Sequence, residues 1–177
     1  MNLKDYVRPV ADFPKPGIMF RDITPMLKSA AAMKEVTRQL AEPFRNAGVT
    51  IILAAEARGF VFGVPLAMEL GAGFVPVRKP GKLPYETHKF SYDLEYGSDS
   101  LEIHCDAIGP NDRVLLVDDL LATGGTVEAC LKLAQRQNAE VIGAAFVIEL
   151  AFLNARKRLA PLCITSLLTY HTEEANE

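Results

Sequence analysis

Two adjacent carboxylates followed closely by a glycine pair and two threonines are the residues in this chain best suited to chemistry. They lie in the run Val114-Leu115-Leu116-Val117-Asp118-Asp119-Leu120-Leu121-Ala122-Thr123-Gly124-Gly125-Thr126. Glycines let the backbone approach an anion and reach positive φ at little cost. The free N–H groups and positive dipole of a following helix then face a phosphate, and the hydroxyls of Thr123 and Thr126 add donors. Asp118 and Asp119 would repel a phosphate, so they suit neutral hydroxyls or a hydrated Mg²⁺ instead. A sugar phosphate with free hydroxyls satisfies both halves. No Gly-Lys-Ser or Gly-Lys-Thr occurs anywhere, so the loop is not a Walker P-loop.

The elements around this run follow from its pattern. Residues 114–117 are apolar, two of them β-branched, and read as a strand buried on both faces that ends before the carboxylates. Open α/β sheets hold ligands at such carboxyl ends. Val127, Cys130, Leu131 and Ala134 make one apolar helix face, predicting a helix to about Gln137 with Cys130 as a small core residue. The plainer alternative is a strand, an exposed acidic turn and a threonine N-cap.

The rest of the chain alternates in the same way. Pro9, Pro14, Pro16, Gly17 and Pro25 predict an irregular N-terminal arm. Met33, Val36, Leu40 and Phe44 predict an amphipathic helix, 51–55 a buried strand, 61–70 a helix, and 74–77 a strand whose Pro76 suits an edge or end. Residues 78–90 read as a mobile basic loop. A hairpin of 91–96 and 101–105 turns at Gly97-Ser98-Asp99, and strands follow at 141–148 and 163–168. The expected fold is one α/β domain over 1–177, a mainly parallel twisted sheet flanked by helices. Residues 1–28 form the arm, and 78–105 a flexible loop and hairpin.

Composition narrows the class. The chain has 177 residues, 49% hydrophobic and 23% charged, with net charge −3, as in an ordinary globular domain. No lysine/arginine block suggests a nucleic-acid partner. Cys105, Cys130 and Cys163 lack zinc or disulfide spacing. No stretch approaches ~20 apolar residues and the N-terminus shows no signal pattern, so no membrane association and a cytoplasmic location are expected.

Further candidates flank the opening run. Glu56-Ala57-Arg58-Gly59 follows a buried strand, as the carboxylates do, and Arg58 offers a planar fork for pyrophosphate oxygens. Arg78, Lys79 and Lys82 cluster within five residues, either as a solvated turn or as cations that close over a departing anion. Glu95 shares a strand face with Asp93, which makes it either a wet hairpin residue or a general base. By residue type Met19, Phe20 and Leu150 read as core residues.

With these motifs the chain resembles the type I phosphoribosyltransferases, which use phosphoribosyl pyrophosphate (PRPP). The segments 12–24, 56–60, 77–84 and 93–97 narrow the resemblance to the adenine phosphoribosyltransferases, over roughly residues 12 to 170. The resemblance implies that Asp118 and Asp119 contact the ribose hydroxyls and that Ala122, Thr123, Gly124, Gly125 and Thr126 cradle the 5′-phosphate. It implies pyrophosphate binding by Glu56, Ala57, Arg58, Arg78, Lys79 and Lys82, with a peptide of the first loop often cis. It further implies adenine held between Met19 and Leu150, near Phe20, with backbone at Met19 and Arg21 reading the polar edge, and Glu95 managing base protons. Mg²⁺ would be carried by PRPP and water, near Asp118 and with no direct protein ligand. A homodimer would form beside the pyrophosphate loop. Three alternatives share the phosphate loop: a transferase for xanthine, hypoxanthine or guanine, a PRPP-sensing regulator that would need an added DNA-binding segment, and a plain nucleotide-binding module.

Overall fold

The computed structural model describes residues 1–93 and 98–173. In chain order its elements are β1 (Arg8–Val10), β2 (Phe20–Asp22), α1 (Thr24–Lys28), α2 (Ala30–Ala41), β3 (Ile51–Ala55), α3 (Arg58–Leu70), β4 (Gly73–Val77), β5 (Thr87–Asp93), β6 (Ser98–His104), β7 (Arg113–Leu121), α4 (Gly125–Arg136), β8 (Glu140–Leu150), α5 (Ala155–Leu159) and β9 (Ile164–Tyr170). Five parallel strands form one sheet in the order β4-β3-β7-β8-β9. The order reverses direction between β3 and β7. In a doubly wound sheet that switch point opens a crevice at the strands' carboxyl ends.

The sheet is apolar on both faces, and each face carries its own core. Val36, Leu40, Phe62 and Leu66 of α2 and α3 cover one side with Ile52, Leu115 and Val117. Val127, Cys130 and Leu133 of α4 cover the other, together with Tyr92, Leu101 and Ile103 of the β5–β6 hairpin. Val36 and Leu40, four residues apart, are fully buried, which is the facing stripe expected of α2. Pro76 lies in β4, an edge strand, where its missing N–H costs no interior ladder bond.

Four expectations are corrected. β7 runs on through both carboxylates to Leu121, because it keeps its pairing with β8 as far as Leu120↔Ile148 and Leu121↔Glu149. The arm is ordered: Arg8↔Asp22 and Val10↔Phe20 pair antiparallel, and Arg8 clamps Asp22 at 2.6 Å and reaches the Thr24 hydroxyl at 3.0 Å. α3 starts at Arg58, not Val61, and carries Pro65 in its interior. In the hairpin, Thr87↔His104 through Asp93↔Ser98 pair. His88 and Lys89 are therefore strand residues, and Ser98 and Asp99 belong to β6 and not to the turn. Inward packing of Phe90 and Tyr92 against the α4 side sets that register.

Candidate active site

The loops after β3 and β7 meet at the switch point. β3 ends at Ala55, the Glu56–Ala57 peptide is cis, and α3 begins at Arg58. Arg58 Nε lies 3.0 Å from Asp119 Oδ2. Gly59 permits this convergence: a Cβ there would stand 3.0 Å from Asp118 Oδ1 and 3.2 Å from the Val117 carbonyl oxygen. The glycine also lets the first turn of α3 lie directly against the end of β7.

Asp118 and Asp119 work in different surroundings. Asp118 lines a small cavity with Thr126, Val127 and Cys130 on the α4 side, and its Oδ1 accepts from the Asp119 backbone N–H at 2.9 Å. Asp119, only 5% exposed, lines a cavity on the arm side with Arg58. Burial, with the Asp119 carboxylate beside it, raises the Asp118 carboxyl well above the ordinary carboxylate range. Burial raises Asp119 too, but the Arg58 cation opposes it. Arg58 therefore favours negative charge on Asp119 more than on Asp118, which is raised the further of the two.

The phosphate-loop candidates form a continuous concavity. Residues Leu120 through Val127 line a cavity of about 70 Å³ that includes Ala122, Thr123, Gly124, Gly125 and Thr126. Gly124 sits at φ 84° as the N-cap of α4, with no side chain capping the helix. Glu128 N donates to Gly124 O at 2.9 Å, so the N–H groups of Gly125, Thr126 and Val127 precede the helical ladder and point out of its end. Tyr92 of β5 walls the loop, 3.3 Å from where a Gly125 Cβ would be. Burial pushes its phenol up, opposed by a hydrogen bond with Thr126. Sequence reasoning missed Tyr92, since only the hairpin's docking brings it here.

The base-pocket candidates also converge. Met19, Phe20, Arg21 and Leu150 line one cavity of about 110 Å³ with Ile18, Leu120, Ile148, Arg58 and Asp119. Ile18, Leu120 and Ile148 were not singled out from sequence, although Ile148 shares a strand face with Leu150. Arg21, 8% exposed, lays its guanidinium over the Tyr170 ring at 4.1 Å. Phe20 takes Phe13 edge-on at 5.0 Å and has the Arg58 guanidinium 5.9 Å from its centroid. Arg58 and Asp119 therefore border the cavity of the base-pocket candidates.

Glu56 is placed as an organiser of the basic loop. Its Oε1 accepts from the Lys79 backbone N–H at 2.6 Å and its Oε2 from Arg78 Nη2 at 3.2 Å. The Lys79 amide bond, then the Arg78 guanidinium, hold its carboxyl below the ordinary range. An ionised carboxylate is a poor direct partner for a pyrophosphate. Arg78 Nη1 in turn donates to the Lys82 carbonyl at 3.2 Å, and Lys79 Nζ lies 3.6 Å from Asp99 Oδ2. Exposed Ala57, Arg58, Lys79 and Lys82 remain on the open side. Glu95 lies outside the described residues. Among the described residues no group of three or more His, Cys, Asp or Glu side chains could hold a metal ion, and no helix is long and apolar enough to cross a membrane.

A model of the phosphoribosyl transferase domain matches residues 22–161. The chain is 54% identical to the adenine phosphoribosyltransferase of Rhodopirellula baltica over 177 residues, covering 100% of this chain and 86% of that protein. It is 56% identical to that of Escherichia coli over 164 residues, covering 93% and 90%. The crystal structure of adenine phosphoribosyltransferase from Thermoanaerobacter pseudethanolicus superposes with TM-score 0.92 at 52% identity, covering 95% of this chain and 98% of that one. The Saccharomyces cerevisiae enzyme, solved with an imino-altritol bisphosphate and adenine, gives TM-score 0.88 at 39% identity, covering 94% and 96%.

Proposed function

The chain belongs to the adenine phosphoribosyltransferase family, and we propose that it transfers the 5-phosphoribosyl group of PRPP to N9 of adenine, giving AMP and pyrophosphate. The observation that carries this reading is the meeting of three subsites on one crevice. Asp119 and Arg58 border the apolar slot of Met19, Phe20 and Leu150, while the same strand end leads into the capless N-terminus of α4.

The reaction breaks the bond from C1 of the ribose to the pyrophosphate oxygen and forms the C1–N9 bond. The electron pair of the broken bond leaves with pyrophosphate, and the N9 proton passes to a base. Positive charge develops on the ribose as the first bond lengthens, and the Asp119 carboxylate lies close enough to favour it. Its oxygens accept from the ribose hydroxyls once Arg58 swings toward the pyrophosphate. The amides of Gly125 and Thr126 with the threonine hydroxyls hold the 5′-phosphate. Arg78, Lys79 and Lys82, ordered by Glu56, stabilise the leaving group. Met19 and Leu150 sandwich the base, backbone at Met19 and Arg21 reads its edge, and Glu95 serves as the proton acceptor.

Mg²⁺ fits as a substrate-borne ion. Among the described residues the donor set is too small for a protein cage, so the ion would be held by PRPP oxygens and water. An ion carried there would supply positive charge against the departing pyrophosphate.

A homodimer is supported by α3. Val61, Val64 and Met68 recur along one helix face and are exposed, Met68 by 79%. That apolar face suits a second copy of the chain, and it continues directly from Arg58 of the pyrophosphate loop.

The deciding experiment is AMP formation from PRPP and adenine with Mg²⁺, with hypoxanthine, guanine and xanthine in parallel. Turnover with adenine alone is the expected result. Turnover with a 6-oxopurine would overturn the base-pocket assignment, and PRPP binding without turnover would overturn the enzymatic one.

A further inference from the structure

The phosphate cradle carries no cation of its own: residues 120–127 include neither lysine nor arginine. One turn into α4, at Glu128, it carries an anion instead. A carboxylate in the first turn draws on the same positive helix end that a bound phosphate needs, and its charge opposes the incoming one. The structure answers this from α5, an element that neither the motifs nor the proposed chemistry uses. Arg158 Nε and Nη2 both grip Glu128 Oε2, at 2.8 and 2.7 Å. Its remaining nitrogen, Nη1, stands 3.8 Å from where a Gly125 Cβ would be. Neighbours of Arg158 on α5 seal the loop from the same side, since Ala155 Cβ and Leu159 Cδ1 each lie 3.3 Å from a Cβ built at Gly124.

We propose that Arg158 is a positioning residue for the 5′-phosphate. It neutralises Glu128 and so sets the affinity of the cradle for a phosphomonoester, with no covalent or proton-transfer part of its own. The inference rests on the cradle reading above and adds a residue to it. Both partners are partly exposed, with side chains 40% and 32% accessible, so the effect is moderate and falls as ionic strength rises. Charge carries it, and the guanidinium fork does not.

The test is calorimetric binding of ribose 5-phosphate, with inorganic pyrophosphate as the control ligand. In R158A the Kd for ribose 5-phosphate should rise about five-fold at low salt, while that for pyrophosphate stays unchanged. R158K should remain within about two-fold of the wild type. E128Q should bind about two-fold tighter or better, and R158A/E128Q should return close to the wild-type value. A purely structural role for Arg158 predicts a double variant as weak as R158A, and that result overturns the proposal. So does an unchanged R158A. E128Q needs no loss of Arg158, so it decides the matter even if R158A folds poorly: weaker binding in E128Q also overturns it. A wild type that binds no ribose 5-phosphate would refute the cradle itself before any variant is compared.

Discussion

Asp118 and Asp119 are chemically identical and adjacent, yet their surroundings separate them. Arg58 pairs with Asp119 at 3.0 Å, whereas Asp118 faces the Cys130 side of the sheet, where the thiol itself is pushed up by burial. D119N should therefore lower kcat/KM for AMP formation on the order of 10²-fold, since it removes the carboxylate beside the developing cation. Steady-state kinetics with both substrates varied will show it. D118N should behave differently. The raised folded value of Asp118 means that ionising it destabilises the native state, so stability present at low pH is lost as pH rises from about 4 upward. Replacing the carboxyl by an amide removes that loss. The melting temperature of D118N relative to the wild type should therefore increase toward neutral pH, even as activity falls, and thermal denaturation across pH checks this.

Glycines set the approach of whole elements. Gly124 needs φ 84° and leaves room for α5, where a Cβ would lie 3.3 Å from Ala155. G124A should cost about 1–2 kcal/mol from the left-handed conformation alone and weaken PRPP more than adenine, which separate KM values will reveal. Gly63 is a packing case away from the chemistry. A Cβ there would come 2.8 Å from the Phe74 ring and 3.1 Å from Ala54 Cβ, between α3 and its sheet. G63A should cost about 1–3 kcal/mol of stability, seen as a lower melting temperature.

The molecule as a whole joins its crevice to its outer surface through α3, which starts at Arg58 and exposes Val64 and Met68. In the proposed homodimer this face is the interface, so V64E/M68E should yield a monomer by light scattering and should raise the KM for PRPP, because Arg58 stands at the start of the same helix. On the adjoining strand β8, where Glu149 pairs with Leu121 at the end of β7, Arg156 grips the Glu149 carboxylate through two contacts of 2.7 Å. That pair, above all, holds the Glu149 carboxyl below its ordinary range. Its stabilisation is present above the ordinary value near 4.5 and lost as pH falls through the lowered one. Acid unfolding of E149Q should accordingly start from a less stable protein and show a shallower fall with pH.

The sequence by itself determined the parallel α/β class, because runs such as 114–117 bury both faces and the 127–134 pattern covers one of them. It also marked the candidate loops, because phosphate and sugar recognition demands glycine, threonine and carboxylate in one short span. Pro76 narrowed its strand to an edge or a strand end, and the sheet order decided for the edge. Only the tertiary structure decided where β7 stops, since ladder pairing with β8 carries Asp118 and Asp119 inside the strand. It alone separated the surroundings of those two carboxylates, placed Glu56 against Arg78 and the Lys79 backbone, and brought Tyr92 and Arg158 to the loop at the start of α4. Most of these contacts join residues twenty or more positions apart, and local pattern holds no record of them. They exist only once the sheet order and the packing of its two faces have brought those side chains together.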